Sequence, residues 1–340
     1  MWSPISFSLP SPTSNLPEIQ PKPPMFTLGG FLFSYGKIPI VQTKVEKQSK
    51  STIKLTITVP KEDVRKMYEE VLSKYVKETE IPGFRKGMAP REVVREKANL
   101  NKLYGDVINE LLQANYVQAI KEHHIAPISN PKVEIKEFEI DKDFEFSAMV
   151  PTRPDVTVGD YKKTLNELQK KKEEETKKQN AERLAKGDKL EDTHVHLTPN
   201  EVVATLNELS QVEIPDILVE DETERMMARL VDQAGSIALS LEQYLKAQNK
   251  TAEQLRSDYT KIAKNNLKSE FVLGHLVQEQ KMEVTDQEIE EVVKASGNPE
   301  ALEQLKNPTE KWYIKSVLEK NKLINNLIEE VAHEDEQGHK

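Results

Sequence analysis

The residues best suited to binding chemistry lie in a short segment rich in glycine and proline. Phe84, Arg85 and Lys86 stand between Gly83 and Gly87, with prolines further out on both sides. Glycine and proline disfavour a helix here, so the pattern predicts a loop that displays an aromatic ring beside two cations. Cations bind phosphates or carboxylates, and a phenyl ring fills a pocket or stacks on a base. The alternative interpretation is a turn in which Phe84 packs into the core and the charges are only solvated.

Charge is distributed unevenly along the 340 residues. The chain has 57 acidic and 48 basic side chains, a net charge of −9. Residues 212–340 carry a net charge of −10, whereas residues 1–211 carry +1. Within the first part, residues 81–97 hold five basic side chains and two acidic ones, a local excess of +3. This asymmetry favours a polyanionic partner for the N-terminal part; a well-solvated helical surface is an equally good interpretation of the acidic part.

The sequence offers no convincing catalytic or metal-binding set. It lacks cysteine, which excludes disulfides, thiolate ligands and cysteine nucleophiles. It also lacks a phosphate-binding loop and a dinucleotide fingerprint. His194 and His196 alternate near Asp188, Glu191 and Asp192, but a third firm ligand is missing, so we predict no metal site. We expect no cofactor and no bound nucleotide, and without an 18-residue apolar run we expect no membrane-spanning helix.

Hydrophobic periodicity predicts an α+β domain over residues 41–150. Apolar and polar residues alternate over 52–59, which indicates a half-buried strand ended by a proline. Apolar residues then recur at three- and four-residue steps over 64–76 and again over 101–124, which indicates two amphipathic helices. Residues 133–150 alternate on both sides of a polar turn and predict a β-hairpin.

The remaining residues predict an extended, mostly helical C-terminal part. Residues 1–40 contain eight of the 19 prolines and are expected to be a disordered extension, with Met25 as an alternative start. Residues 151–211 are expected to be a charged linker or helix, because 162–211 contain no aromatic residue. Residues 212–333 show helical periodicity throughout, and 334–340 are expected to be a tail.

One helix of this C-terminal part holds the candidate residues for contact with unfolded polypeptides. It begins near Pro215 and has apolar residues at helical steps. The candidates are Ile217, Leu218, Met226, Met227 and Leu230. Flexible methionines suit a surface that accommodates varied partners. The alternative is that these residues only pack one helix on another.

The segment Gly83-Phe84-Arg85-Lys86-Gly87, followed by Pro90, resembles the ribosome-docking signature of the bacterial trigger factor family. In that family the Phe-Arg-Lys residues contact the large ribosomal subunit beside the exit tunnel, at a ribosomal protein and neighbouring RNA. Residues 212–222 and 285–291 also resemble the family's C-terminal domain, whose helical arms form an open cradle for unfolded chains.

The resemblance implies an ATP-independent cytoplasmic chaperone that docks on ribosomes and binds nascent polypeptides, without a membrane or a nucleotide as partner. Most members of the family also contain an FKBP-like prolyl isomerase domain with an aromatic pocket. Residues 162–211 cannot form such a pocket, so we expect this domain and its activity to be absent. The alternatives are a diverged prolyl isomerase and an RNA-binding ribosome assembly factor.

Overall fold

The computed structural model of the chain describes residues 42–78, 80, 82–97, 100–186, 195–237, 239–295, 303 and 305–337. The chain divides into two compact units, Met1–Arg153 and Pro154–Lys340. The predicted extension over residues 1–40 and the cluster of Asp188, Glu191, Asp192 and His194 lie outside the described residues.

The first unit is a four-stranded antiparallel sheet with helices, which confirms the predicted α+β class and adds one strand to the three that the sequence predicts. Its elements are β1 (Gln42–Gln48), β2 (Thr52–Val59), α1 (Lys61–Glu78), α2 (Arg91–Lys97), α3 (Leu100–Glu122), β3 (Lys132–Ile135) and β4 (Phe144–Pro151). The strand order is β1-β2-β4-β3, and β3 with β4 forms the predicted hairpin.

Apolar side chains on one face of this sheet form the core with the two longer helices. Leu55 and Ile57 of β2 are fully buried and pair in register with Ala148 and Phe146 of β4. Residues of α1 and α3, among them Leu103, belong to the same core. Because one face of the sheet is covered by helices, the alternating pattern of β2 correctly identifies its inner face.

Sequence reasoning misses two elements of the first unit. β1 has the sequence QTKVEKQ, in which Val45 is the single apolar residue, so alternation gives no signal there. The strand is nevertheless held by antiparallel pairing with β2 at the sheet edge. Helix α2 has only seven residues, fewer than periodicity can identify.

The second unit is mainly helical. Its elements are β5 (Val156–Val158), α4 (Tyr161–Lys186), α5 (Pro199–Leu209), β6 (Ser210–Val212), α6 (Asp216–Ser236), α7 (Leu241–Gln248), α8 (Ala252–Glu279), α9 (Asp286–Ala295) and α10 (Pro308–Gln337). β5 and β6 pair antiparallel.

The sequence predicts a charged linker or helix over residues 151–211, apart from the C-terminal domain; these residues form helices α4 and α5 and contribute to the core of this unit. Leu165 of α4 and Leu206 of α5 are buried in the same cluster as Leu276 of α8 and Leu323 of α10. The sequence of α4 does not reveal these contacts, because the helix is highly charged and only a few apolar residues form its inner face. The predicted boundary at residue 212 therefore does not coincide with a boundary of the structure.

Most helices of the second unit begin directly after a residue whose side chain caps the helix N-terminus. Thr285 accepts a hydrogen bond from the backbone N–H of Glu288, whose carboxylate accepts one from the backbone N–H of Thr285. This reciprocal box starts α9 where the sequence predicts it. Helix α10 continues to Gln337, beyond the predicted tail boundary at 334, because the first helix-breaking residue is Gly338.

Candidate functional site

The loop that contains Phe84 is built on two glycines with left-handed backbone. Gly83 has φ +93° and Gly87 has φ +80°. The backbone N–H of Met88 donates a hydrogen bond of 2.9 Å to the carbonyl of Arg85. Residues 85–88 thus form a β-turn whose third residue has the positive φ of a type II turn. We call residues 83–87 the Phe-Arg-Lys loop.

The loop is anchored to the first unit at its C-terminal end. Ala89, two residues after Gly87, is buried in the core, as is Val94 of α2. A Cβ atom added to Gly87 would lie 3.5 Å from the carbonyl oxygen of Lys77, near the end of α1. This distance is an ordinary van der Waals contact, so it is the positive φ of the turn that favours glycine at position 87.

The three side chains of the loop point into solvent. Phe84 is 42% exposed, which contradicts the alternative that its ring packs into the core. Arg85 and Lys86 are exposed, and neither has an ion-pair partner within the part of the chain that the structure describes. The arrangement presents one aromatic ring and two unpaired cations on a fixed turn, which suits binding to a surface that offers both anions and an apolar or stacking contact.

Two other cations of the basic segment serve the fold. Arg91 donates a 3.0 Å hydrogen bond to the Ser73 hydroxyl and lies 3.5 Å from Glu69. Arg95 donates a 3.0 Å hydrogen bond to the Tyr68 hydroxyl, and this hydrogen bond raises the pKa of Arg95. Of the five cations in residues 81–97, Arg91 and Arg95 therefore contact α1, whereas Arg85 and Lys86 have no ion-pair partner among the described residues.

The candidate polypeptide-binding residues of α6 fall into two groups. Leu218 and Leu230 are each 8% exposed, so they pack inside the unit and cannot offer a free surface. Ile217, Met226 and Met227 are half-buried.

More exposed apolar residues lie at positions that the sequence prediction missed. They include Val231 and Ile237 at the end of α6, Ile262 on α8, Val292 on α9 and Leu184 on α4. Helical periodicity marks apolar residues as inward, so it gave no signal for those that α6 and α8 leave uncovered. The pairing of α6 with α8 includes an ion pair of 2.6 Å between Arg256 and Glu224.

The described residues contain no group of three histidine or acidic side chains arranged to hold a metal ion. His196 uses its backbone carbonyl to accept a 3.1 Å hydrogen bond from Lys172. No helix in the described ranges is long and apolar enough to cross a lipid bilayer.

The chain thus combines an α+β unit that carries an exposed aromatic and basic loop with a helical unit that follows it in the sequence. This is the architecture that the sequence motif predicts. Residues 41–186 match the family described as bacterial trigger factor protein (TF), and residues 157–329 match its C-terminus. The chain belongs to the trigger factor family.

Curated relatives match a shorter stretch. Trigger factors from two strains of Staphylococcus epidermidis are 40% identical over 117 residues, which is 34% of this chain and 27% of each relative. The trigger factor of Staphylococcus aureus strain JH9 is 41% identical over the same length. The matched stretch thus spans about a quarter of these relatives.

A solved structure agrees in fold. The structure described as "Promiscuous Substrate Recognition in Folding and Assembly Activities of the Trigger Factor Chaperone" superposes with a TM-score of 0.57. It covers 85% of this chain and 100% of its own, at 15% identity. This similarity supports the α+β architecture with a helical C-terminal part.

An isomerase domain does not fit between the helices where the family resemblance places it. Helix α4 ends at Lys186 and α5 begins at Pro199, so only residues 187–198 separate them. Twelve residues are far fewer than the roughly 50 that an independent domain needs. The isomerase domain is therefore absent from this position.

Proposed function

We propose that this chain is an ATP-independent chaperone that docks on the large ribosomal subunit through the Phe-Arg-Lys loop and binds unfolded nascent chains with its helical unit. The observation that carries the proposal is the exposure of Phe84, Arg85 and Lys86 on a turn fixed by two glycines. Docking at the exit tunnel would place its action in the cytoplasm, where nascent chains emerge.

The chemistry of the loop fits a surface made of protein and RNA. Arg85 and Lys86 neutralise phosphates or acidic side chains, and Phe84 fills a pocket or stacks on a base. Because the surrounding cations Arg91 and Arg95 contact α1, the loop itself is the part available to a partner. The net charge of −10 over residues 212–340 would be repelled by ribosomal RNA, which favours docking by the first unit.

The helical unit offers apolar contacts for an unfolded polypeptide. Val231, Ile237 and Ile262 expose large parts of their side chains, and Met226 and Met227 are half-buried. Exposed apolar side chains on a strongly acidic, well-solvated unit allow weak binding of many sequences without loss of solubility. Leu218 and Leu230 stabilise α6 and are not part of this proposed surface.

Cosedimentation with ribosomes tests the docking. Alanine at Phe84, Arg85 and Lys86 together should abolish sedimentation with vacant and translating ribosomes. Arg65 and Lys66 provide the matched control, because they are neighbouring exposed cations of the same unit whose replacement removes the same charge. Unchanged sedimentation of the triple variant, or equal loss in the control, would refute docking through the loop.

Suppression of aggregation without nucleotide tests the polypeptide-binding surface. Serine at Val231 and Ile237 should weaken the suppression of aggregation of a chemically denatured protein. Leu184, an exposed apolar residue of α4, is the matched control, and its replacement by serine should change nothing. If the Val231 and Ile237 variant protects as well as the native chain, the proposed surface is wrong.

A further inference from the structure

Met88 follows the Phe-Arg-Lys loop and is strongly exposed. Its side chain is 71% exposed, whereas the other methionines among the described residues, Met67, Met149, Met226, Met227 and Met282, are half-buried. Binding a partner that covers an exposed apolar side chain is favourable, because it removes apolar surface from water. Met88 is not part of the hydrophobic core that the described residues of the first unit form.

The backbone at Met88 is nevertheless held in place. Its N–H donates to the carbonyl of Arg85, and the next residue, Ala89, is buried in the core. The structure therefore fixes where Met88 stands while leaving its thioether free. The order along the loop is aromatic, cation, cation, glycine and thioether, so apolar groups flank the two charges on both sides.

The chemistry of Met88 favours one of the two components of the proposed docking surface, ribosomal protein, over the other, ribosomal RNA. A phenyl ring such as that of Phe84 can stack on a base, and Arg85 and Lys86 can pair with phosphates. A thioether forms no strong hydrogen bond and no ion pair, and it gains most from an apolar recess of variable shape. Such recesses are a property of protein surfaces.

We propose that Met88 is a further contact residue of the docking surface and that it inserts into an apolar recess of a ribosomal protein, beside the anions bound by Arg85 and Lys86. This inference rests on the proposed function. It specifies the partner group at each position: Met88 contacts protein, whereas Arg85 and Lys86 contact phosphate or carboxylate.

Substitution separates this contact from a merely structural role. Met88→Ala should weaken ribosome binding about fivefold or more, because the truncation removes an apolar side chain that the partner buries. Met88→Leu, similar in volume and also apolar, should bind almost as the native chain does. Thermal unfolding should be the same for all three proteins, because the side chain makes no contribution to the core.

Oxidation provides an independent change at the same atom. With hydrogen peroxide the sulfur lone pair forms an S–O bond, the O–O bond breaks and water leaves, so the thioether becomes a polar sulfoxide and the peroxide is reduced. Mild treatment should weaken ribosome binding by the native chain and leave the Met88→Leu variant unaffected. The half-buried methionines are present in both proteins and serve as the internal control.

A photoreactive diazirine analogue of methionine at position 88 of the full chain identifies the partner. Irradiation with large ribosomal subunits should give a product that resists ribonuclease and is degraded by protease. A product destroyed by ribonuclease, or native affinity of Met88→Ala, would overturn the inference. The triple alanine variant at positions 84 to 86 is measured in parallel. If it binds normally, the docking proposal itself fails, whereas loss in the triple variant alone rejects only the role of Met88.

Discussion

The exposure of Phe84 depends on the backbone of the residues around it. The glycines beside it predict a bend, but composition left a buried ring and a displayed ring equally possible. The positive φ angles of Gly83 and Gly87 and the burial of Ala89 decide the matter, because they turn the chain so that position 84 faces solvent. Arg91 and Arg95 look equivalent to Arg85 in the sequence, and only their contacts with α1 separate them.

Gly87 should be the least replaceable glycine of the loop. Gly87→Ala forces a side chain into a left-handed conformation next to the Lys77 carbonyl, which should cost about 1–2 kcal/mol of stability. Gly105→Ala in α3 is the control, since a Cβ there meets nothing within 4 Å. Helix propensity predicts that this control gains about 0.5–1 kcal/mol. Chemical unfolding of both variants measures the difference; equal effects would contradict the strain argument.

Glu288 should make the helical unit sensitive to acid. Hydrogen bonds from the Thr285 backbone, from Lys322 and from the Thr285 hydroxyl lower the pKa of Glu288 to about 2, from an ordinary 4.5. A group with a depressed folded-state pKa stabilises the protein above pH 4.5, and this contribution is lost as the pH falls toward 2. Glu288→Gln should therefore flatten the pH dependence of stability between these values.

The matched control for Glu288 lies on the same helix. Glu290 forms an exposed pair with Lys294 at 3.1 Å. Glu290→Gln removes the same charge from the same helix without touching the hydrogen bonds of Thr285 and Lys322, and urea unfolding from pH 2 to 6 compares the two variants. A slope that is unchanged by Glu288→Gln, or changed equally by both substitutions, would count against the assigned hydrogen bonds.

At the scale of elements, a hydrogen-bond network connects α4 with α5 and with the residues just before α5. Lys172 donates to both carboxylate oxygens of Glu201, at 3.0 and 2.6 Å, and to the His196 carbonyl. Burial raises the pKa of Glu201, but the hydrogen bonds from Lys172 and Thr198 outweigh it and leave the pKa below its usual value. Gln169 also donates to the Val195 carbonyl at 2.6 Å.

Removing the ammonium group of Lys172 should weaken this hydrogen-bond network. Lys172→Ala removes the donor to the His196 carbonyl and leaves the Glu201 carboxylate with only its hydrogen bonds from Thr198, which should cost about 1–2 kcal/mol. Lys163→Ala should cost almost nothing, because its pair with Glu167 is exposed and 3.9 Å long. Thermal unfolding compares the two variants, and equal midpoints would show that the network adds no stability.

Elements with strong periodicity or clear caps were predictable, and the others were not. β2, α1 and α3 follow from alternation and three- and four-residue steps, and Thr285 marks the start of α9. β1 depends on pairing with β2, which no local pattern encodes. The contribution of α4 to a core was also hidden, since it depends on a few residues such as Leu165 within a highly charged helix.

For the whole molecule, the acidity of the sequence belongs to one of two units. The net charge of −10 over residues 212–340 lies in the helical unit, and the Phe-Arg-Lys loop lies in the other. The proposed function assigns docking to the first unit and binding of the unfolded chain to the acidic helical unit.

The whole chain should not catalyse proline isomerisation. Only residues 187–198 separate α4 from α5, and residues 162–211 contain no aromatic side chain to line a proline pocket. A proline-containing test peptide should therefore interconvert at its uncatalysed rate, over tens to hundreds of seconds, at any concentration of the purified protein. Acceleration proportional to protein concentration would contradict this prediction and favour a diverged isomerase.

Binding to separated ribosomal subunits tests the central claim most directly. The dissociation constants of the full chain for purified large and small subunits would be measured at one salt concentration, for the native protein and for the triple alanine variant of Phe84, Arg85 and Lys86. We predict saturable binding of the native chain to the large subunit alone, and its loss in the variant. Equal affinity for both subunits would indicate a general RNA-binding protein, and an unchanged affinity of the variant would contradict docking through this loop.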